Sequence, residues 1–358
     1  MSVGAAGIVP VVDIAGDPRQ VGRQIDAACR DVGFFQIVGH GLDPRVEAAG
    51  WAAAADFFRL PLADKMAVAI PPGDAYGYGP FQVERLAASL GEATPPDLKE
   101  TFSIGPSREL CQEREPEANC DQSSRGDSCG MERSGATSPL NPQAQLATAV
   151  DPAAGFVFSA SLWPEALPHI EVAMRAYYDA LAVLVERVMS LMALGLGVEP
   201  HYFEPSIDCH TSALRSLHYP DLRGHGVLPG QLRAGAHSDY GTLTLLRQDD
   251  APGGLQVRDV AGVWHDVPAV EGAYVVNVGD ALERWTNDRW KSTLHRVVVP
   301  PDDADRDCSR QSMAFFHNAN WDAVIECLPS CLAPGESARY PPITAGRHLM
   351  DKFLSTQS

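Results

Sequence analysis

The chain has 358 residues, 45% of them hydrophobic, which is enough apolar material for one large domain or two modest ones. Acidic residues outnumber basic ones by 46 to 28, and the resulting net charge of −18 argues against nucleic-acid or anionic membrane partners. The sequence contains no run of about 18 uncharged apolar residues, so it predicts no transmembrane helix. The start of the chain lacks a signal-like pattern, and the cysteines form no C-x-x-C pair, so we expect free thiols and a cytoplasmic location.

The N-terminal part of the chain alternates helix and strand signals. Asp17-Pro18 has the form of an N-cap followed by proline in the first helical turn, and apolar residues then recur at helical spacing until Gly33. The apolar run at 34–38 predicts a short buried strand. Asp43-Pro44 predicts the start of a second helix that continues to about Phe58.

A segment of different composition interrupts this pattern. Between Gly105 and Gly155 there is no aromatic residue and no isoleucine, whereas Ser, Pro, Gln, Glu and Gly are abundant. Such a sequence cannot bury enough apolar surface to offset the entropy that is lost on ordering. We therefore predict an inserted flexible loop at 107–153, which follows an N-terminal domain at 1–106 and precedes a long helical segment at 154–212.

The signals change from helix to strand in the C-terminal part. A long amphipathic helix is predicted from Pro164 to Leu196, ended by Gly195 and Gly197. Segments rich in β-branched and aromatic residues follow: Leu214–Tyr219, Thr242–Arg247, Leu255–Arg258, Tyr274–Val278, His295–Val299 and Ser312–Phe316. Many short strands at this spacing indicate a sandwich or barrel. The predicted fold is mainly β with flanking helices, and 213–358 is its β domain.

Three residues from two strings form a candidate metal site. His237 and Asp239 are two positions apart, so on a strand their side chains project from one face. With His295 they can occupy one face of an octahedral metal and leave three positions open, as non-haem iron oxygenases require. The same side chains could hold zinc for hydrolysis. The spacing alone leaves both possibilities open.

The last predicted strand adds a candidate anion site. Arg310 and Ser312 share one face of this strand and offer guanidinium donors and a hydroxyl. Arginine binds carboxylates through paired hydrogen bonds, so the two residues suit the distal carboxylate of a dicarboxylic acid. Tyr219, at the end of an earlier strand, could supply a further hydroxyl.

Arg215 is a candidate contact for the primary substrate. If Tyr219 points into the barrel, strand alternation places Arg215 on the same inward face. An arginine there is costly unless it meets an anion or ordered water. We therefore predict that Arg215 binds a carboxylate on the substrate, with pairing to a structural carboxylate, or a bulge that turns it outward, as the alternatives.

Strings that run through nearly the whole chain resemble the isopenicillin-N-synthase-like 2-oxoglutarate/Fe(II)-dependent dioxygenase family. In the family's order they include Val9-Pro10-Val11-Val12-Asp13, Lys99-Glu100-Thr101-Phe102, Leu217-His218-Tyr219-Pro220, His237-Ser238-Asp239-Tyr240-Gly241-Thr242, Asn277-Val278-Gly279-Asp280, Arg310-Gln311-Ser312 and Tyr340-Pro341-Pro342-Ile343-Thr344. The segment at 107–153 and the last few residues fall outside the likeness. Because so many strings keep the family's order, the resemblance is specific.

The resemblance implies a double-stranded β-helix (jelly-roll) core with an N-terminal region of helices and strands. It assigns Fe(II) to His237, Asp239 and His295, and 2-oxoglutarate to Arg310, Ser312 and Tyr219. The implied reaction is hydroxylation, desaturation or ring formation on a small organic metabolite. O₂ is the other co-substrate, and succinate and CO₂ are released.

Three features depart from the family pattern. The connection from His295 to Arg310 is longer than usual, Leu217 replaces an asparagine of many plant relatives, and the 107–153 insert lies near the rim of the expected substrate pocket.

Three other functions stay open. The alternatives are an Fe(II) oxidase of the same fold that does not use 2-oxoglutarate, a zinc hydrolase and a non-catalytic binding module. In each case we expect a small-molecule ligand, no nucleic-acid or membrane partner, and a monomer.

Overall fold

The computed structural model describes residues 8–91, 94–106, 153–223, 226–300 and 307–357. The strands are Val11–Asp13 (β1), Phe34–Val38 (β2), Gly77–Gly79 (β3), Glu100–Ile104 (β4), Ala213–Tyr219 (β5), Ala234–His237 (β6), Leu243–Gln248 (β7), Leu255–Arg258 (β8), Trp264–Asp266 (β9), Tyr274–Val278 (β10), His295–Val297 (β11), Arg310–His317 (β12), Val324–Ile325 (β13) and Ile343–Thr344 (β14). The α-helices are Pro18–Asp31 (α1), Pro44–Arg59 (α2), Leu62–Met66 (α3), Ala154–Val157 (α4), Ile170–Leu196 (α5), Glu204–Ile207 (α6), Asp280–Trp285 (α7) and Ala345–Gln357 (α8), and 3-10 helices occupy Leu86–Leu90 and Pro329–Cys331.

Two sheets form the β core. The larger has the strand order β1-β2-β10-β7-β12-β5-β4-β3, and the smaller has the order β6-β11-β8-β9. One buried apolar cluster joins residues of both sheets, among them Leu217 and Ala314 from the larger and Val257 and Val297 from the smaller. Two sheets that enclose a common core in this way form a jelly-roll arrangement. The predicted class, mainly β with flanking helices, is confirmed.

Strands from the N-terminal part extend the larger sheet at both of its edges. β2 pairs with β10 and carries β1 on its outer side, whereas β4 pairs with β5 and carries β3. The predicted segments 1–106 and 213–358 therefore share one continuous sheet. The 107–153 segment lies outside the described residues apart from Ala153, and the domain boundaries stay a prediction.

Helices α1, α2 and α5 form a layer beside the larger sheet. The starts of α1 and α2 are confirmed, since the side chains of Asp17 and Asp43 accept hydrogen bonds from backbone N–H groups in the first turns. The predicted start of the long helix at Pro164 is wrong. The helix begins at Ile170, because Pro168 disfavours helical geometry in the residue before it.

The end of helix α5 also corrects the sequence prediction. Gly197 ends the helix with a φ of 76°, as predicted for a C-cap glycine. Gly195, however, lies inside the helix, and an added Cβ there would sit 2.5 Å from the backbone oxygen of Gly22 in α1. Gly195 is therefore needed for close approach of two helices and not for helix termination.

Within the described ranges, no helix combines the length and apolar character that crossing a bilayer needs.

The cysteines differ in their state. Cys29, Cys327 and Cys331 are thiols as predicted, whereas Cys209 is disulfide-bonded and the thiol prediction is wrong for it. That prediction used only local spacing, and disulfide pairing depends on proximity in space. The cytoplasmic location stays a prediction.

The contact between α1 and α5 predicts a specific loss of stability. In Gly195→Ala the new Cβ must displace the Gly22 carbonyl, and such overpacking costs about 1–3 kcal/mol. Gly155→Ala is the matched control, since its Cβ would meet nothing within 4 Å. We expect a lower urea midpoint for Gly195→Ala and an unchanged or higher one for Gly155→Ala. Equal midpoints would contradict the close helix contact.

Candidate functional site

The three candidate metal ligands meet where β6 and β11 pair. His237 ends β6 and lies opposite His295, the first residue of β11, while Asp239 follows two positions after β6. The Oδ1 atom of Asp239 lies 3.9 Å from Nε2 of His237 and 3.7 Å from Nε2 of His295. One ligand atom from each of the three residues lies within 4.8 Å of the others, and no other group of this kind occurs in the described parts of the chain.

Backbone carbonyls orient both imidazoles. Nδ1 of His237 donates to the oxygen of Gly235 at 2.7 Å, and Nδ1 of His295 donates to the oxygen of Thr293 at 3.1 Å. With the proton on Nδ1, each ring presents the lone pair of Nε2 towards Asp239. Hydrogen bonds from the non-ligating nitrogen to backbone carbonyls are usual for metal-binding histidines.

Two side chains of the larger sheet hold the carboxylate of Asp239. Its Oδ2 atom accepts hydrogen bonds from Oγ1 of Thr244 at 2.5 Å and from Nδ2 of Asn277 at 2.8 Å, which leaves Oδ1 facing the imidazoles. Thr244 lies inside β7 and Asn277 lies inside β10. Neither contact follows from local sequence signals, since each joins strands that are distant in the chain.

Charge and burial favour the protonation states that bind a metal. Burial and the neighbouring His295 lower the pKa of His237 to about 3. Burial raises the pKa of Asp239, but His295, His237 and the hydrogen bonds from Asn277 and Thr244 together outweigh this effect, and the net shift is downward. At neutral pH His237 is therefore a neutral imidazole and Asp239 a carboxylate, the forms that ligate cations. Two such nitrogens and one oxygen fit the 2-His-1-carboxylate set of non-haem Fe(II).

The candidate anion site lies where β12 pairs with β5. Arg310 lies directly opposite Tyr219, and Ser312 lies opposite Leu217. All three predicted residues, Arg310, Ser312 and Tyr219, are at most 2% exposed, and the guanidinium of Arg310 lies 5.0 Å from the centre of the Tyr219 ring. The strand register therefore brings them together.

The guanidinium of Arg310 keeps donors available for a ligand. Its Nη2 donates to Oε1 of Gln248 at 2.7 Å, and its Nε lies 3.7 Å from Oδ1 of Asp249, beyond hydrogen-bond distance. Within the described residues, Nε and Nη1 are buried and have no hydrogen-bond partner. Buried donors are rarely left unsatisfied, so these two indicate that an acceptor such as the carboxylate of a ligand binds here. This arrangement fits a dicarboxylic acid ligand.

Arg215 lies on the same face of β5 as Tyr219 and belongs to a cluster of charged side chains. Its Nε donates to Oγ of Ser103 at 3.0 Å, and its Nη1 lies 3.3 Å from Oε1 of Glu84. Nζ of Lys99 lies 3.2 Å from Oε2 of the same glutamate. The structure therefore contains the ion pair that one alternative predicted, in which Arg215 pairs with a carboxylate of the protein itself.

The cluster lies within electrostatic reach of the candidate metal ligands. Burial raises the pKa of Glu84, but Arg215, Lys99 and, more weakly, His237 outweigh it and lower the pKa to about 2. Asp97 links the cluster to β6, because its Oδ1 atom accepts a hydrogen bond from the N–H of Gly235 at 2.9 Å and its Oδ2 from Nζ of Lys99 at 2.7 Å. Sequence analysis missed both Glu84 and Asp97, although Asp97 lies two positions before the Lys99 string.

Comparisons with known proteins match both halves of the chain. A family model described as non-haem dioxygenase in morphine synthesis N-terminal matches residues 9–125, and a model of the 2OG-Fe(II) oxygenase superfamily matches residues 210–319. A 2-oxoglutarate-Fe(II) type oxidoreductase of Emericella nidulans is 34% identical over 328 residues, which cover 90% of this chain and 80% of that protein. A homoarginine-6-hydroxylase of Oryza sativa subsp. japonica is 29% identical and covers 97% and 95% of the two chains.

A solved structure has a fold similar to that of this chain. A full-length Neurospora crassa protein in complex with alpha-KG (2-oxoglutarate) and thymine has a TM-score of 0.75 and 29% sequence identity, and the match covers 99% of both chains. The similarity therefore includes the helical layer and both sheets.

The contact between Asn277 and Asp239 predicts an effect on metal affinity. Asn277→Ala removes one of the two donors that orient the carboxylate, and losses of this kind weaken metal binding about 10- to 100-fold. Asn320→Ala is the matched control, because the Asn320 amide donates to Asp208 at 2.7 Å instead of to a candidate metal ligand. We expect anaerobic titration with Fe(II) to show weaker binding for Asn277→Ala only. Equal affinities in the two variants would refute the positioning effect.

Proposed function

The chain belongs to the 2OG-Fe(II) oxygenase superfamily, and from this premise we propose a role for each residue of the candidate site. The protein is a 2-oxoglutarate/Fe(II)-dependent dioxygenase that oxidises a small organic molecule, with Fe(II), 2-oxoglutarate and O₂ as cofactor and co-substrates. The proposal concerns the residues that hold these groups and the chemistry of the substrate. We further propose a monomer, since a net charge of −18 disfavours self-association.

We propose that His237, Asp239 and His295 hold the Fe(II). Bound there, the iron supplies the activation of O₂, which is coupled to the conversion of 2-oxoglutarate into succinate and CO₂. The protein's contribution is geometric: the two Nδ1–H groups are held by carbonyls, so both Nε2 atoms stay available on the side of Asp239. The carboxylate also offsets part of the charge of the cation.

We propose that Arg310, Ser312 and Tyr219 bind 2-oxoglutarate. The observation that carries this proposal is the buried Arg310 guanidinium, whose Nε and Nη1 have no hydrogen-bond partner in the described part of the chain. A carboxylate of the ligand would supply a charged acceptor to this guanidinium. An oxidase of this fold that does not use 2-oxoglutarate would have no dicarboxylate to pair with this arginine.

We propose that Arg215 contacts the primary substrate and that the substrate carries a carboxylate. Arg215 faces inward, opposite Ala314 of β12, and its side chain keeps 25% of its surface exposed. Its partner Glu84 is also 27% exposed, so the pair presents a cation and an anion side by side. A substrate with both an acidic and a basic group, such as an amino acid, would find a partner for each.

The co-substrate assignment predicts a change in the affinity for 2-oxoglutarate. Arg310→Gln removes a charge-assisted pair of hydrogen bonds worth roughly 1.5–3 kcal/mol, which corresponds to a rise in the Michaelis constant for 2-oxoglutarate of about one to two orders of magnitude. Arg310→Lys keeps the charge but not the planar fork and should recover part of the loss. Release of labelled CO₂ from 2-oxoglutarate measures both variants.

A metal-ligand variant separates this effect from general damage to the site. Asp239→Ala should abolish Fe(II) binding and CO₂ release together, whereas Arg310→Gln should leave Fe(II) binding intact. An unchanged Michaelis constant in Arg310→Gln would refute the 2-oxoglutarate pocket and favour the oxidase alternative. Near-normal turnover in Asp239→Ala would refute the metal site.

The substrate proposal predicts which compounds stimulate succinate formation. A panel of small carboxylic acids and amino acids should include activators of the wild type, and their methyl esters should be inactive. Arg215→Leu should raise the Michaelis constant for an activating acid about tenfold or more, since a charged hydrogen bond is worth about 1.5–3 kcal/mol. Its slow CO₂ release without substrate should persist, and Arg215→Lys should be intermediate. An equal response of wild type and Arg215→Leu to the same acid would reject the contact.

A further inference from the structure

Arg233 is a fully buried arginine that the roles above leave unexplained. Its relative exposure is 0%, and it immediately precedes β6, the strand that carries His237. The register between β6 and β11 shifts by one residue between Ala234 and His237. Such an irregularity changes the direction of the side chains near it, so the position of Arg233 has to be taken from its contacts.

The guanidinium of Arg233 donates to backbone carbonyls of two other segments. Nη1 donates to the oxygen of Pro252 at 2.6 Å and to that of Gly253 at 3.0 Å, just before β8. Nη2 donates to the oxygen of Cys308, which lies two residues before Arg310. Arg233 thus ties the strand of His237 to the segment from which β12 starts.

In the part of the chain that the structure describes, no acid forms a salt bridge with Arg233. Within the described residues no carboxylate lies within salt-bridge distance of it, and its Nε is buried without a hydrogen-bond partner. Its guanidinium lies 5.8 Å from the centre of the Tyr219 ring, the ring that Arg310 also faces at 5.0 Å. Burial and the charge of Arg310 lower the pKa of Arg233, yet arginine stays protonated in proteins.

Two buried cations beside one tyrosine ring need an anion. Neutral carbonyls satisfy the hydrogen bonds of Arg233, but they do not neutralise its charge, and an unpaired buried charge is costly. Asp249 lies 3.7 Å from Arg310 and acts on Arg233 only from beyond salt-bridge distance, and its two oxygens already accept backbone N–H groups of Ala251 and Gln311. Among the described residues, two arginines and one carboxylate therefore leave an excess of positive charge in the pocket, which a second carboxylate on the co-substrate would balance.

We propose that Arg233 is a positioning residue for the co-substrate, acting in two ways. By holding Cys308 it fixes the place where Arg310 enters the barrel, and by its charge it strengthens the attraction for the distal carboxylate of 2-oxoglutarate. The inference rests on the proposed binding of 2-oxoglutarate at Arg310.

The test compares two 2-oxo acids by anaerobic calorimetric titration of the Fe(II)-loaded protein. 2-Oxoglutarate carries a distal carboxylate, whereas 2-oxovalerate has the same number of carbons and lacks it. Arg233→Met should weaken the binding of 2-oxoglutarate about tenfold or more, equivalent to about 1.4 kcal/mol, and change that of 2-oxovalerate little. Arg233→Lys keeps the positive charge but loses the planar set of guanidinium donors, so its loss of affinity for 2-oxoglutarate should be intermediate. Arg258→Met, on the exposed side of β8, is the control for loss of one positive charge.

Each outcome of these titrations supports or rejects either the role of Arg233 or the 2-oxoglutarate site on which it rests. If Arg233→Met weakens both acids equally, or neither, Arg233 only supports the fold and the inference fails. If Arg233→Met does not fold, Arg233→Lys decides alone, and unchanged 2-oxoglutarate affinity overturns the inference. Arg310→Gln in the same titration tests the premise. A loss in Arg310→Gln without one in the Arg233 variants rejects only the role of Arg233, whereas no loss in any variant rejects the 2-oxoglutarate site itself.

Discussion

The pairing register of β5 with β12 is the constraint on which the anion-binding half of the site depends. It places Tyr219 opposite Arg310, Leu217 opposite Ser312 and Arg215 opposite Ala314. Because side chains alternate along a strand, a slip of one residue would turn all of them to the other face. The register is held from both sides, since β12 also pairs with β7 over six positions from Ser312 to His317.

The metal half of the site depends on contact between the two sheets. His237 and His295 belong to the smaller sheet, whereas Thr244 and Asn277, which hold the carboxylate of Asp239, belong to β7 and β10 of the larger one. Asp239 lies beyond the end of β6 and so bridges the sheets. In the proposed metal site, affinity therefore depends on how the sheets pack, and we expect a mutation in the core between them to act on the site without touching a ligand.

The sequence was sufficient for features that depend on local pattern. Strand alternation predicted that Arg310 and Ser312 share a face, and the aspartate-proline pairs predicted where α1 and α2 begin. It was not sufficient for features that depend on distant contacts. The contact of Asn277 with Asp239 joins residues 38 positions apart, and the pairing of Arg215 with Glu84 joins residues 131 positions apart. The bulge beside Arg233 leaves no signal in composition or periodicity.

The hydrogen bond from Arg233 to Cys308 has a consequence for how this chain can change over evolutionary time. Because Arg233 holds the chain at Cys308, the position of Arg310 depends on position 233 as well as on the register with β5. We therefore expect substitutions at positions 233 and 310 to be linked over evolutionary time.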